Sequence, residues 1–109
     1  MSTVADIIDT RYGGRIAFNE QVVTLMTPLT RLLVNNPNRV GWVMINEGTD
    51  IVRLAPNPQV TPTSGWLLAP SGGIMSMSWD EDGDAVFSEV WAAISASSVS
   101  VRVREYIRL

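Results

Sequence analysis

The sequence predicts an all-β protein: a single antiparallel β-sandwich, jelly-roll or immunoglobulin-like, with about seven or eight short strands and an extended N-terminal arm. Turn-forming proline, glycine and asparagine residues recur every few positions from Val22 onward. The runs between them are short and rich in Val, Ile, Leu, Met and Trp, which favour strands. Residues 98–109 alternate apolar and polar with a period of two. These observations leave no room for helices of ordinary length.

The 109 residues are predicted to form one domain with a single core, since 46% are hydrophobic and 17% are charged. Gly13-Gly14 ends a short helix-compatible run, so residues 1–15 are predicted to be an arm and residues 16–109 the β-sandwich domain. The arm either docks on a neighbouring subunit or frays, and the sequence leaves both interpretations open. Its candidate interface residues are Ile7 and Ile8.

The turn positions divide the rest of the chain into strands. We predict strands at residues 22–26, 30–34, 40–46, 51–54, 66–68 and 73–78. The run AVFSEVWAAISAS, residues 85–97, would also suit a helix. Its β-branched and aromatic residues favour a strand that forms a hairpin with the last strand of the chain.

The predicted strand at residues 40–46 is apolar on both faces. Such a strand is typical of the centre of a sheet that is covered on both sides. One cover is the core, and the other is the arm, a loop or another protein chain. Trp42 and Met44 are therefore candidate interface residues. Arg39, in the polar corner before the strand, is a further candidate, and it is predicted to bind a nearby carbonyl or acid.

The final strand places Arg102, Arg104 and Arg108 on one face and mostly valines on the other. Glu105 is the exception on the apolar face. The arginines either form the solvent face of an antiparallel edge strand or bind an acidic patch on a neighbouring subunit. All eight basic residues are arginine, which favours the second interpretation.

Composition argues against most familiar functions. A net charge of −3 is the opposite of what a nucleic-acid-binding domain normally carries. No apolar run approaches the ~18 residues of a membrane helix, and the N-terminus lacks the pattern of a secretory signal. The absence of cysteine and histidine excludes thiolate catalysis and removes the commonest general base and metal ligands. We therefore expect a protein that is not an enzyme, needs no cofactor and binds neither nucleic acid nor membrane.

The acidic run SWDEDGDAVFSE, residues 78–89, partly fits a calcium-binding loop. Asp80, Asp82 and Glu89 occupy ligand positions of that template. However, a serine replaces the first aspartate, and the flanking segments favour strands over the helices that the template requires. The favoured interpretation is a solvated acidic hairpin loop that keeps a sheet edge soluble. A calcium site is the alternative.

Two further patterns suggest carbohydrate chemistry without specifying it. Four tryptophans could line a sugar-binding platform, although tryptophan more often fills a core or an interface. They are Trp42, Trp66, Trp79 and Trp91. Carboxylate pairs such as Glu47 with Asp50, or Glu89 with Glu105, could serve glycoside hydrolysis. Eleven acidic residues on a small domain supply such pairs by chance, so carbohydrate binding is a minor alternative and hydrolysis a weaker one.

Residues 36–78 carry an ordered set of turns and strands. An Asn-Pro-Asn-Arg corner is followed by an apolar strand that ends at Asn46 and by a Gly-Thr turn. A degraded Pro-Asn-x-Val loop and the tripeptide Leu68-Ala69-Pro70 then precede a glycine turn. In this order, and over roughly residues 22–109, the chain resembles small β-sandwich structural proteins from the virions of tailed bacteriophages. The acidic run departs from the pattern and is expected to serve a contact particular to this protein.

The resemblance implies a non-enzymatic virion protein, made in the host cytoplasm. The expectation is a decoration or minor capsid protein that binds neighbouring capsid subunits and stabilises the shell. Its implied partners are the major capsid protein or other virion proteins, together with further copies of itself in a homo-oligomer. A tail or baseplate component is one alternative, and a carbohydrate-binding host-adhesion module is another.

Overall fold

The computed structural model describes residues 16–26, 28–96 and 98–109. Within these residues the predicted all-β sandwich is confirmed, with two antiparallel sheets of four strands each. The strands are β1 (Ile16–Leu25), β2 (Leu29–Leu33), β3 (Arg39–Asn46), β4 (Val52–Ala55), β5 (Trp66–Leu68), β6 (Ile74–Ser78), β7 (Val90–Ala93) and β8 (Val99–Arg108). The predicted arm at residues 1–15, with Ile7 and Ile8, lies outside the described residues.

The strand order is that of a jelly roll. One sheet, which we name the front sheet, has the order β1-β8-β3-β6, and the back sheet has the order β2-β7-β4-β5. The chain crosses between the sheets at every connection except the one between β4 and β5, which pair with each other. Of the two sandwich types that the sequence allowed, the topology therefore selects the jelly roll.

The core lies between the two sheets and is filled by alternate residues of their strands. From the front sheet, Trp42 and Met44 of β3 are completely buried, and valines of β8 lie beside them. Other buried side chains, from both sheets, are Leu25, Leu33, Val52, Leu54, Leu68, Val90, Ala92, Val101 and Val103. β3 pairs with β8 on one side and with β6 on the other, so the predicted central position of this strand is confirmed.

The connection between β6 and β7 is helical rather than extended. Helix α1 (Trp79–Asp82) and a 3-10 helix (Gly83–Phe87) stand where the sequence predicted an acidic hairpin loop and the start of a strand. The Asp82 carboxylate accepts a hydrogen bond from the backbone N–H of Ser78 at 2.9 Å. The acidic residues lie in the first turn of α1, where the helix dipole favours negative charge. Asp82 therefore stabilises the turn itself.

The predicted hairpin between the last two strands is wrong. β7 pairs with β2 and β4 in the back sheet, whereas β8 pairs with β1 and β3 in the front sheet. Nearness in sequence favours a hairpin, but each strand carries buried apolar side chains. Placing the strands in opposite sheets lets those side chains meet across the core.

Buried polar side chains fix both ends of β3. At its start, the side chain of Arg39 is completely buried. Its Nε and Nη2 both contact Oε2 of Glu105, at 2.7 and 2.6 Å. The guanidinium also donates to the carbonyl oxygen of Val34 at 2.6 Å and to those of Val86 and Ser88 at 3.3 and 3.0 Å. One side chain thus joins the end of β2, the 3-10 helix and β8.

At the other end of β3, Asn46 is also completely buried. Its Nδ2 donates to the carbonyl oxygens of Asp50 and Leu68, at 2.8 and 3.1 Å. Its Oδ1 accepts from the backbone N–H of Gly48 at 2.9 Å. The backbone N–H of Asn46 donates to the carbonyl oxygen of Gly73 at 2.9 Å. A Cβ on Gly73 would lie 2.2 Å from the carbonyl oxygen of Ala69, so this turn requires glycine.

Candidate interaction surface

The outer face of the front sheet presents three cross-strand rows of side chains. The first row runs from Phe18 through Tyr106 and Gly41 to Ser78. The second row runs from Glu20 through Arg104 and Val43 to Ser76. The third row runs from Val22 through Arg102 and Ile45 to Ile74. Directly opposed residues of an antiparallel sheet point to the same face. All twelve residues therefore share one surface, which contains two of the predicted interface arginines.

A ladder of ion pairs crosses this surface. Nε of Arg104 donates to Oε1 of Glu20 at 2.5 Å. Nη1 of Arg102 lies 3.7 Å from Oε2 of Glu20, and Nε of Arg102 donates to Oε1 of Glu47. We name these four residues, Glu20, Glu47, Arg102 and Arg104, the charge ladder. Its two arginines and two glutamates balance in charge, so the ladder is electrically neutral.

The pairing shifts the protonation equilibria of the ladder. The hydrogen bond from Arg104 lowers the pKa of Glu20, desolvation opposes this effect, and the positive charges of Arg104 and Arg102 support it. The hydrogen bond to Glu47 raises the pKa of Arg102, and the hydrogen bond to Glu20 raises the pKa of Arg104. The charged forms of all three side chains are therefore favoured in the folded protein.

We expect the Glu20 carboxyl to titrate below its ordinary value of 4.5. Because this pKa is depressed by folding, the stabilisation from Glu20 is complete above its unfolded pKa and is lost as the pH falls through the folded value. Carbon-detected NMR titration of the side chain measures the pKa directly. Arg104→Gln should return the pKa towards its ordinary value. An unchanged Glu20 pKa in that variant would contradict the assignment of the Arg104 hydrogen bond as the main cause.

Apolar side chains surround the ladder. Phe18, Val22 and Ile74 are 56%, 48% and 65% exposed. The rings of Phe18 and Tyr106 lie 5.5 Å apart between centroids, at an interplanar angle of 48°. A groove of about 380 Å³ runs beside Tyr106 over Gly41 and Val43. A Cβ on Gly41 would lie 3.6 Å from Cδ2 of Tyr106. Because glycine has no side chain, the groove beside the Tyr106 ring stays open at this position.

The surroundings of the arginines on the final strand match neither of the two predicted interpretations. β8 lies between β1 and β3, so it is not an edge strand. Arg102 and Arg104 do meet acidic residues, but those residues belong to β1 and to the turn after β3 of the same chain. Arg108 is exposed at the end of β8, where its backbone N–H donates to the carbonyl oxygen of Asn38. The chain itself thus supplies the acidic patch that was predicted on a neighbour.

The prediction that three other residues lie at an interface is wrong, because their side chains are buried. The side chains of Arg39, Trp42 and Met44 are fully enclosed by the sandwich and leave no surface for a second chain. The residues of β3 that do face outward are Val43 and Ile45, because the two faces of a strand alternate. The part of the Arg39 prediction that is confirmed is its binding to carbonyl groups and to an acid.

The acidic run does not assemble a calcium site within the described residues. No group of three acidic side chains there is arranged to hold a metal ion. Asp82 binds the backbone N–H of Ser78, and Glu89 lies 3.7 Å from Arg31. Asp80 and Asp82 lie on α1, whereas Glu89 follows the 3-10 helix.

The tryptophans do not form a platform. Trp42 is in the core, Trp66 pairs with Leu54 on the inner side of the back sheet, and Trp79 is 45% exposed on α1. Trp91 lies on the outer side of the back sheet. In each predicted carboxylate pair one member is bound by an arginine, since Glu105 binds Arg39 and Glu47 binds Arg102.

The sequence did not single out a second surface, on the outer side of the back sheet. Arg31 of β2 lies over the ring of Trp91 at 5.8 Å, and Trp91 is paired with Ala55 of β4. Arg53 of β4 is paired with Ala93 of β7. The alternation of Leu29, Arg31 and Arg53, Ala55 could have indicated their outward direction. Their proximity depends on strand pairing that local sequence does not reveal.

No family model and no curated protein matches this sequence. Among solved structures, the fold is similar to a chain from the Bacillus endospore appendages, described as a novel family of disulfide-linked pili. The TM-score is 0.52 at 11% sequence identity, and the match covers 86% of this chain and 88% of the pilus chain. Among the described residues, no helix is long and apolar enough to cross a bilayer. At this level of identity, the similarity establishes a shared fold.

Proposed function

We propose that this protein is a non-enzymatic structural subunit, which assembles with copies of itself and with other structural proteins. The observation that carries the proposal is the outer face of the front sheet. Phe18, Val22 and Ile74 expose much of their apolar surface there, on both sides of a neutral charge ladder. A sheet face with this much exposed apolar surface suits burial against another protein, and its charged side chains are already paired with one another.

Buried and half-buried polar side chains of this protein hold its strands and loops together, which supports a structural role. Arg39, Glu105 and Asn46 are engaged in holding the ends of β3. The similar fold of a pilus-forming chain also supports an assembling subunit. This sequence contains no cysteine, so its own residues cannot form the disulfides of that pilus family. Contacts between copies would therefore rest on apolar burial and on ion pairs.

The assembly that we propose is a bacteriophage virion. Support comes from the order of corners and turns over residues 36–78, which resembles small virion β-sandwich proteins. On this proposal the protein sits on the capsid surface as a decoration or minor capsid protein and bridges neighbouring capsid subunits. A place in the tail or baseplate is the alternative, and the similarity to a pilus chain favours that elongated type of assembly.

Assembly through the front sheet is tested by mass measurement on the purified full chain. We expect the wild type to sediment as a multi-subunit species, and the double variant Phe18→Ser/Ile74→Ser to associate about tenfold more weakly. The control is Val34→Ser, which removes another exposed apolar side chain, located outside this face. A wild type that stays monomeric at high concentration and does not bind empty capsids would overturn the proposal.

The virion placement has its own test. Antibody labelling of purified phage particles in electron micrographs should mark the capsid surface if the protein decorates the shell. Labelling confined to the tail would replace that version with the alternative placement. Absence of the protein from purified particles, together with self-assembly in solution, would retain a structural subunit and reject the virion.

A further inference from the structure

The outer side of the back sheet carries more positive than negative charge among the residues that the structure describes. We name Arg31, Arg53 and Trp91 the Arg–Trp face. Arg31 has one acidic neighbour, Glu89, at 3.7 Å, and its side chain is 49% exposed. Arg53 donates from Nη1 to the carbonyl oxygen of Gly65 at 3.3 Å, with no charged partner among the described residues. The charge ladder of the front sheet, by contrast, contains as many glutamates as arginines.

Two donors on this face have no acceptor. Nε of Arg53 and Nε1 of Trp91 are buried and form no hydrogen bond with the described residues. Both N–H groups are enclosed by the protein, so the group that an incoming acceptor can reach is the half-exposed guanidinium of Arg31. A carboxylate suits it best, because the guanidinium group binds carboxylates with two parallel hydrogen bonds and stacks on aromatic rings. Ala55 pairs with Trp91 and Ala93 pairs with Arg53, so small side chains alternate with the larger ones on this face.

The same chain carries a matching acidic surface. Residues 79–84, which we name the acidic segment, contain Asp80, Glu81, Asp82 and Asp84, all exposed. α1 has no basic residue in its last turn. Trp79, at the start of the segment, is 45% exposed and supplies an apolar group next to the carboxylates. Tryptophan is the residue type most enriched among side chains that dominate protein interfaces.

The two surfaces lie on different sides of the molecule. α1 packs on β6, and the 3-10 helix packs on β3 and β6, so the acidic segment belongs to the front-sheet side. Within the described residues, Glu81 and Asp84 form no ion pair with Arg31 or Arg53. Complementary surfaces at separate places on one chain satisfy each other only between copies.

We propose that the acidic segment of one copy docks on the Arg–Trp face of the next copy. Glu81 and Asp84 then bind Arg31 and Arg53, and Trp79 packs beside the exposed side chain of Leu67. The contact is head-to-tail, because each copy contributes a different surface. Repetition of such a contact produces a closed ring or an open filament. The inference rests on the proposed self-assembly. It adds a head-to-tail contact between copies and names the residues that form it.

The experiment uses three full-length variants. Arg31→Gln/Arg53→Gln neutralises the Arg–Trp face, and Glu81→Gln/Asp84→Asn neutralises the acidic segment. Arg108→Gln removes one positive charge elsewhere and is the control. Analytical ultracentrifugation at about 20 mM and about 500 mM NaCl measures association, since salt screens ion pairs between surfaces. Circular dichroism verifies that each variant folds, and Arg31→Gln alone replaces the double variant if Arg53 proves necessary for folding.

We expect the wild type and the control to assemble alike, and at least about tenfold more weakly in high salt. Each neutralised variant should associate at least about tenfold more weakly than the wild type. An equimolar mixture of the two, each also carrying Phe18→Ser/Ile74→Ser to weaken the front-sheet contact, should form a dimer that grows no further, because only one pair of intact charged surfaces remains. Wild-type assembly that both variants retain would overturn this contact and leave the structural proposal standing. A mixture that stays monomeric would overturn the pairing. A monomeric wild type would overturn this contact and, if it also failed to bind empty capsids, the structural proposal.

Discussion

Replacing Arg39 with methionine is expected to destabilise the fold by about 3–5 kcal/mol, the range for removing one partner of a buried ion pair. The Arg39 side chain has no exposed surface, and that of Glu105 is 14% exposed. Methionine fills much of the space but leaves Glu105 and three carbonyl oxygens without their donor. Urea denaturation followed by tryptophan fluorescence measures the loss.

Arg102→Met is the matched control for that experiment. Arg102 also binds a glutamate through its Nε, but its side chain is 35% exposed, so water replaces the lost partner. Exposed ion pairs contribute little to stability, so the control should lose much less than Arg39→Met. Equal losses in the two variants would show that burial of the guanidinium does not determine its importance.

The double variant Arg39→Met/Glu105→Met separates the ion pair from the carbonyl contacts. Removing both charges eliminates the uncompensated carboxylate, so the double variant should be more stable than Arg39→Met alone. It should stay below the wild type, because the carbonyl oxygens of Val34, Val86 and Ser88 still lack a donor. A double variant as unstable as the single one would assign the whole loss to those carbonyl groups.

The class of fold was predictable because it depends on composition and period. The apolar residues on both faces of β3 indicated a central strand, and the pairing of β3 with β8 and β6 bears this out. The short helices before β7 were missed for a physical reason. A run of aspartates and glutamate favours the first turn of a helix as readily as a solvated loop, and the sequence alone does not distinguish them.

The surface was predictable only in part. The outward direction of Arg102 and Arg104 follows from their period in β8, but the acidic groups that they bind belong to the same chain and not to the predicted neighbouring subunit. The identity of those groups was not predictable, because Glu20 and Glu47 come near through the pairing of β8 with β1 and the turn that follows β3. The same limit explains the error at Trp42 and Met44, whose burial depends on which face of β3 turns towards the core.

The two buried polar residues at the ends of β3 are part of the motif that suggested a virion protein. The Asn-Pro-Asn-Arg corner ends in the buried Arg39, and the apolar strand ends in the buried Asn46. Both side chains bind backbone groups of loops that carry few apolar anchors of their own. Such a motif therefore describes how a small sandwich closes its ends, and it identifies architecture more directly than function.

Asn46→Ala is expected to cost about 2–4 kcal/mol, since several buried or half-buried groups lose their partner at once. The amide of Asn46 bridges the carbonyl oxygens of Asp50 and Leu68, and its Oδ1 accepts from the N–H of Gly48. Alanine has no group that can replace these bonds, and the enclosed position admits little water. Urea denaturation gives the loss, and hydrogen exchange at the Gly48 amide reports whether the turn itself has opened.

Asn36→Ala controls for the local turn that both asparagines form. Oδ1 of Asn36 accepts from the backbone N–H of Asn38 at 2.9 Å, just as Oδ1 of Asn46 accepts from Gly48, but this bond is exposed. Its loss should cost about 0.5–1 kcal/mol, because water takes the vacated positions. A large difference between the two variants would assign the role of Asn46 to its buried donor contacts. Equal and small effects would show that the turn, not the bridge between β3 and the neighbouring loops, is all that Asn46 supplies.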